Sequence, residues 1–298
     1  MKNIVLLKLN GGLGNQMFQY ALAYIITLKY NSKLLLDKEL FKLTEKTPGH
    51  TPRNYELGVF NIDEQSASKE DILYFEKISL THKIRRELNL NYPEMCYENN
   101  FSFDKKIIDS KPPIYLRGFF QSFKYFKGYE ENLKELFKFS EENLDDQNRG
   151  LLEKMKLKKS ASIHIRRGDY VEDKITQKIH GNCNPDYYDQ AISKIQEFDE
   201  DVEFFFFSDD IEWVENEFKN WPIIKTFVSS NIGRNSWKDM FLMSSCKHNI
   251  IANSSFSWWA AWLNNNPQKT VIAPKVWFSD LDKENETNDL IPKEWFRI

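Results

Sequence analysis

The sequence predicts an α/β protein of two parallel-sheet units, and three observations carry that prediction. Through the second half of the chain, apolar strand segments alternate with helical segments, the pattern that puts helices on both faces of a parallel sheet. At the other end, the apolar run Ile4 to Leu9 leads straight into a glycine turn and a helix. The length of 298 residues suits two domains of ordinary size, or one large α/β unit. Glu141 to Asn148 is acidic and polar with no apolar period. It is the predicted linker, dividing the chain into 1–148 and 149–298.

Composition narrows the function classes. The chain is 41% hydrophobic and 29% charged, enough for two cores. A net charge of -3 argues against a nucleic-acid partner, which calls for a basic excess. Cys96, Cys183 and Cys246 lie far apart with no C-x-x-C. That fits neither a disulfide framework nor a thiolate zinc site, and it points to a reducing compartment. Lys8 and Gly11 interrupt the apolar start before it makes a signal h-region, and no small-residue cleavage site follows. No apolar run approaches the ~20 residues of a membrane span. The expectation is a cytoplasmic protein, free or peripheral to the inner membrane, with no transmembrane segment.

Taken in order, the first strand meets Asn10-Gly11-Gly12-Leu13-Gly14-Asn15-Gln16. Such a turn brings backbone N–H groups close to a ligand, and the helix start favours anions. Phe18, Ala21, Leu22, Ile25 and Ile26 give the helix its apolar face, with Asn15 as N-cap. The G-x-G-x-x-G spacing of a dinucleotide site is absent, and Asp37 is the nearest candidate for a ribose acid. A tight turn without a ligand is the alternative. Lys33 to Asp37 reads as a second strand. Between 41 and 100 the pattern blurs, with short helices expected at Lys69–Phe75 and Thr81–Leu88. Ile114 to Gly118 is a strand, followed by Gln121, Ser122 and a helix from Phe123 to Phe137. Gln121 and Ser122 suit either a sugar hydroxyl or a helix cap.

The second unit opens on Ser160 to Tyr170, S-A-S-I-H-I-R-R-G-D-Y. Alternation makes Ala161 to Arg166 a strand whose His164 and Arg166 share a face. Helices and strands then alternate: a helix from Asn184-Pro185-Asp186 to Phe198, strand Val202–Phe207, a helix to Phe218, strand Ile223–Val228, and a helix Ser236–Cys246. Strand His248–Ala252, the apolar helix Trp258–Leu263 and strand Thr270–Ala273 complete the set. Glu284 to Leu290 reads as an acidic loop and Pro292 to Ile298 as a short closing segment. Trp258, Trp259 and Trp262 at helical spacing read as core.

Ligands of open α/β sheets sit beyond the strands' C-terminal ends. There the sequence places Arg166, Arg167 and Asp169, then Ser208, Asp209 and Asp210, then Asn253, Ser254 and Ser255. Guanidinium forks match phosphate oxygens and keep their charge, and a serine-opened helix seats anions. Asp209 or Asp239 would accept from a ribose hydroxyl or from a guanine edge. The blander alternatives are an Arg–Asp surface salt bridge and, for Asp209, a helix N-cap.

Four segments carry a resemblance: G-G-L-G-N-Q-M-F-Q-Y-A (Gly11 to Ala21), H-I-R-R-G-D-Y (His164 to Tyr170), F-F-S-D-D (Phe206 to Asp210) and N-S-S-F-S-W-W-A-A-W-L (Asn253 to Leu263). Together, in this order, they resemble glycosyltransferase family 11, the α-1,2-fucosyltransferases. G-F-F-Q-S-F-K-Y-F (Gly118 to Phe126) is also similar, with Phe123 where the family has an acidic residue. The resemblance implies a GT-B fold, two Rossmann-like domains with parallel sheets facing a central cleft. It implies inverting transfer from GDP-fucose to the 2-hydroxyl of a galactose-terminated oligosaccharide, with no metal or other cofactor. Implied catalytic residues are Arg166 on the β-phosphate, with Asp169 first and His164 second as base, or with the phosphate itself accepting the proton. Gly14, Asn15, Arg167, Ser208, Asp209, Asp239, Asn253, Ser254, Ser255 and Phe256 are the implied donor contacts, and Gln121 and Tyr170 the implied acceptor contacts. The H-x-R logic is shared by α-1,6 and protein O-fucosyltransferases, from which the doubled arginine and the S-S-F-S-W-W run distinguish this chain. A non-catalytic nucleotide-sugar-binding module is the alternative of another class.

Overall fold

The structure is a computed structural model that describes residues 2–46, 51–77, 87–88 and 92–298. The chain divides into two compact units. Unit 1 holds residues 1–46, 52–137 and 286–290; unit 2 holds 47–51, 138–285 and 291–298. Among the described residues, no helix is long and apolar enough to cross a membrane.

Unit 1 is built on β1 (Ile4–Lys8), α1 (Leu13–Tyr30), β2 (Lys33–Asp37), α2 (Lys69–Glu76), β3 (Glu94–Tyr97), α3 (Lys105–Ile108), β4 (Ile114–Arg117) and α4 (Glu130–Leu136). Its four strands pair in the order β2-β1-β4-β3, all parallel. The central strand β1 is apolar on both faces because helices and loops cover both. Ile4, Leu6, Leu35, Phe75 and Tyr115 form one core cluster. Strand β3 lies in the stretch whose pattern was blurred: Glu94-Met95-Cys96-Tyr97 offers one buried residue and so too little periodicity. The helix expected at 69–75 is present, started by a Ser68–Asp71 capping box. The one expected at 81–88 falls almost entirely outside the described residues. The expected helix 123–137 is two pieces, a 3-10 turn Phe123–Phe126 and α4. Gly128, at φ +85°, breaks it.

Unit 2 runs α5 (Asp146–Leu157), β5 (Ser160–Ile165), α6 (Gly168–Glu172), α7 (Lys174–His180), α8 (Pro185–Gln196), β6 (Glu203–Ser208), α9 (Ile211–Phe218), β7 (Lys225–Val228), α10 (Trp237–Ser245), β8 (His248–Ile250), α11 (Ser255–Leu263), β9 (Val271–Ala273), α12 (Leu281–Glu284) and β10 (Phe296–Arg297). Six parallel strands pair in the order β10-β9-β8-β5-β6-β7. Ala161, Ile163 and Ile165 of β5 pack with Tyr187, Tyr188, Ile192, Phe204 and Phe206. Trp258 and Trp259 are fully buried, as their spacing predicts. Both units are thus α/β on all-parallel sheets, the two domains that a GT-B fold requires.

Three sequence expectations change here. The chain divides at 137/138, ahead of the expected linker. That stretch instead starts α5: Asp145 caps it by accepting from the Asn148 N–H, and Lys238 holds the same carboxylate at 2.7 Å. Helices α6 and α7 fill a stretch to which the sequence reading assigns no element; Asp173, capping α7 through the Ile175 and Thr176 N–H groups, is the available signal. The closing segment is a sixth strand, β10, paired with β9.

Candidate active site

In unit 2 the pairing order puts β8, β5 and β6 side by side. Register fixes how their ends line up: Ile163 lies opposite Ile250, and Ile165 opposite Ser208. The polar residues that follow each strand therefore share one sheet rim. Arg166 leaves β5 between two carboxylates, with Asp169 at 2.5 Å and Asp209 at 2.8 Å. Its side chain is 20% exposed, so this is not the surface salt bridge of the blander reading. Burial pulls the Arg166 pKa down, and Asp209 and Asp169 more than offset that, leaving it raised.

Asp209 does not cap a helix. Its second oxygen accepts from the Arg167 backbone N–H at 2.9 Å, and the cap of α9 is Asp210. Asp210 accepts from Arg167 Nε at 3.0 Å; the Arg167 guanidinium lies 3.6 Å over the Trp213 ring centroid. Ser208 Oγ accepts from the Asp210 N–H. Gly168 makes this packing feasible: a Cβ there would overlap Asp209 Oδ2 and lie 3.1 Å from its Cγ.

His164 is buried at the end of β5, its ring centroid 5.7 Å from that of Phe256. Among the described residues its Nδ1 has no hydrogen-bond partner. Burial, which Asp209 opposes and Arg166 reinforces, pushes its pKa down to about 4. The imidazole is therefore neutral at pH 7. Ser254 starts α11, its Oγ accepting from the Phe256 N–H at 3.3 Å. Ser255 is the helix's first residue. Tyr170 donates its hydroxyl to the Asn253 carbonyl at 3.2 Å and lies under the Arg166 guanidinium.

Asn253, one of the expected donor contacts, has its side-chain amide bonded within the fold. Its amide nitrogen donates to the carbonyls of His180 at 2.8 Å and Trp277 at 3.0 Å, and its oxygen accepts from Cys183 Sγ. It ties the end of α7 to the loop after β9. His180, missed in the sequence, stacks on Tyr170 at 4.7 Å. Burial first, then Lys283, lowers its pKa to about 4. Asp239 belongs to a second cluster, accepting from Asn231 at 2.8 Å, where Asn231 also exchanges amide bonds with Asn148. Burial pushes the Asp239 carboxyl up to about 7.

Unit 1 gathers its own polar cluster at the ends of β1, β4 and β3. Gly11 sits at φ +79°, where a Cβ would come within 2.5 Å of Asn15 Nδ2. The N-cap of α1 is Gly12 rather than Asn15, which lies one turn further in; Gly14 is buried in that first turn. Asn15 Oδ1 accepts from Gln121 Nε2 at 2.8 Å. Glu56, missed in the sequence, accepts from the Leu13 N–H through its Oε2 at 2.7 Å. A carboxylate thus occupies the helix start that seats phosphate in dinucleotide sites. Asp37 is also engaged, by Tyr115 Oη at 2.5 Å and the Glu39 N–H. Gln16 and Gln19, fully buried, pin the turn: Gln16 donates to the Gly11 and Asn54 carbonyls, and Gln19 to that of Gly118. Ser122 caps the 3-10 turn. Among the described residues, no group of three or more His, Cys, Asp or Glu is placed to hold a metal ion.

The family model for glycosyl transferase family 11 matches residues 2–298. The chain belongs to glycosyltransferase family 11. Among curated relatives of this family 11 chain, an α-1,2-colitosyltransferase of Escherichia coli is 38% identical, covering 99% of each chain. The O-antigen biosynthesis glycosyltransferase WbnK of Escherichia coli is 36% identical over 94% of this chain and 97% of its own. A galactoside α-(1,2)-fucosyltransferase 1 of Saimiri boliviensis boliviensis is 26% identical over 51% of this chain and 43% of its own.

Proposed function

We propose that this family 11 enzyme transfers L-fucose from GDP-fucose to the 2-hydroxyl of a terminal galactose, inverting the anomeric carbon. The observation that carries the reading is Arg166, held by Asp169 and Asp209 at the same sheet rim as the Ser254-capped start of α11. The acceptor oxygen forms a bond to the fucose anomeric carbon as the bond to the β-phosphate oxygen breaks. Negative charge grows on the departing GDP, and a preorganised guanidinium stabilises it without a metal. Arg166 is the proposed β-phosphate contact, with Arg167, Ser208, Ser254, Ser255 and Phe256 around the nucleotide and Asp239 near its base. As the diphosphate takes over the guanidinium, Asp169 is left to accept the hydroxyl proton. His164, neutral and buried, orients the strand end. Asn15 and Gln121 in unit 1 are the proposed sugar contacts.

The α-1,2-colitosyltransferase relative favours a second reading, in which the donor carries colitose in place of fucose. Colitose lacks the 3-hydroxyl of fucose. The deciding experiment offers each donor with lactose, N-acetyllactosamine and Gal-β1,3-linked disaccharides, EDTA present, and maps the product linkage. Expected is an α-1,2-linked fucoside. A colitoside alone selects the second donor; product at another position removes the α-1,2 assignment. Arg166→Lys keeps the charge but loses the fork. It is expected to lower turnover about 10²–10³-fold at saturating donor; near-normal turnover would overturn the scheme.

A further inference from the structure

Glu98 lies just past the end of β3, in the stretch whose sequence pattern was blurred, and it organises the turn after β4. Its two oxygens accept from the Phe119 and Phe120 N–H groups, each at 2.7 Å. The Gln121 N–H also bears on the carboxylate. Phe120 is held at φ +56°, a conformation that L side chains rarely adopt. Gly118 must lack a side chain, because a Cβ there would overlap Glu98 Cβ. This turn carries Gln121, whose Nε2 donates to Asn15 Oδ1 at 2.8 Å. Strand order makes β3, β4 and β1 consecutive neighbours, so the contacts run across three strand ends.

We propose that Glu98 is a positioning residue, whose carboxylate shapes the Gly118–Gln121 turn so that Gln121 holds Asn15 for the sugar substrate. The inference rests on the proposed transferase function, in which Asn15 and Gln121 contact sugar. Its logic is that of two acceptors facing two donors. A carboxylate satisfies both N–H groups; a carboxylic acid turns one oxygen into a hydroxyl that has to donate elsewhere. Burial raises the Glu98 pKa to about 7, the backbone N–H groups oppose this, and Glu286 adds to the rise. Glu286 and the Tyr125 hydroxyl are the titratable groups facing it. Protonation therefore loosens the turn as pH falls through about 7.

The test compares wild type with Glu98→Gln, which mimics the protonated acid, from pH 5.5 to 8.5. Acceptor kcat/KM of the wild type is expected to fall on the acid side with a midpoint near 7. Glu98→Gln is expected to be at least tenfold lower at pH 8 and flat across that limb, with GDP affinity within twofold of wild type. A folded Glu98→Gln with wild-type efficiency and pH profile overturns the proposal. Should that variant not fold, Gln121→Leu cuts the same chain of contacts and is expected to show the same loss and the same flat profile; wild-type behaviour there overturns it equally. The Gln121 side-chain amide resonances supply a readout without turnover. They are expected to titrate near pH 7, and their failure to shift overturns the proposal. If wild type transfers no sugar to any acceptor, the functional reading fails, while this titration still decides what Glu98 does.

Discussion

Gly168 owes its lack of a side chain to Asp209, which fills the space a Cβ would need. The same carboxylate holds Arg166 and the Arg167 N–H. Gly168→Ala must therefore move Asp209 and, with it, the guanidinium. Overpacking of this kind costs typically 1–3 kcal/mol. The variant is expected to melt several degrees below wild type and to bind GDP at least tenfold more weakly; unchanged affinity would show that Asp209 does not set Arg166. At this scale the sequence revealed residue types but not partners. His164, Arg166 and Asp169 were legible because strand alternation and a charge doublet are local signals. Glu98 and Glu56 were not: each is a lone acid whose partners lie 21 and 43 residues away. Asn253 looked like a ligand contact because it stands at a strand end, yet its amide is engaged by carbonyls more than 20 residues distant.

The start of α11 is the proposed seat of the nucleotide. Ser254 is its N-cap, in extended backbone, and its oxygen satisfies the Phe256 N–H. Loss of such a cap costs roughly 1 kcal/mol. Ser254→Ala is expected to lower the melting temperature by a few degrees and weaken GDP by about tenfold, with acceptor KM unchanged. Calorimetric titration checks it; full GDP affinity would remove the helix start from the site. Elements were readable where one period ran long enough. Strand β6 and helix α11 are apolar runs bounded by polar residues, and β5 alternates, so their ends could be placed. Helices α6 and α7 are short and polar, with no buried residue but Tyr170. A helix of that kind is held by its tertiary contacts, here Arg166 and Asn253, and those are not local in sequence.

At the scale of the molecule, the two units carry opposite acid responses. In unit 2, His164 and His180 are held neutral down to about pH 4, against an ordinary value near 6.5. Their contribution to stability is present above 6.5 and lost as pH falls through about 4. Asp239, raised to about 7, works the other way: its contribution is present below the ordinary carboxyl value and lost as pH rises through 7. Between pH 5 and 6.5 unfolding unit 2 thus takes up protons at His164, His180 and His248, whose pKa burial also lowers, and releases one at Asp239, so acid weakens it. Glu98 in unit 1, also raised to about 7 by burial, releases a proton on unfolding in that window; relief of its buried charge outweighs the loosened turn, so acid strengthens unit 1 as a whole through this group. The carboxylates held lowest, Asp71 at about 2 among them, titrate below the window and do not alter its sign. Hydrogen exchange followed by mass spectrometry at pH 5.2 and 7.5, corrected for intrinsic rates, resolves the units separately. Core peptides of β5 and β6 are expected to lose protection relative to those of β1 and β4 on acidification. The reverse order would mean that the buried histidines are charged in the folded protein, and the neutral His164 on which the rim geometry depends would have to be abandoned.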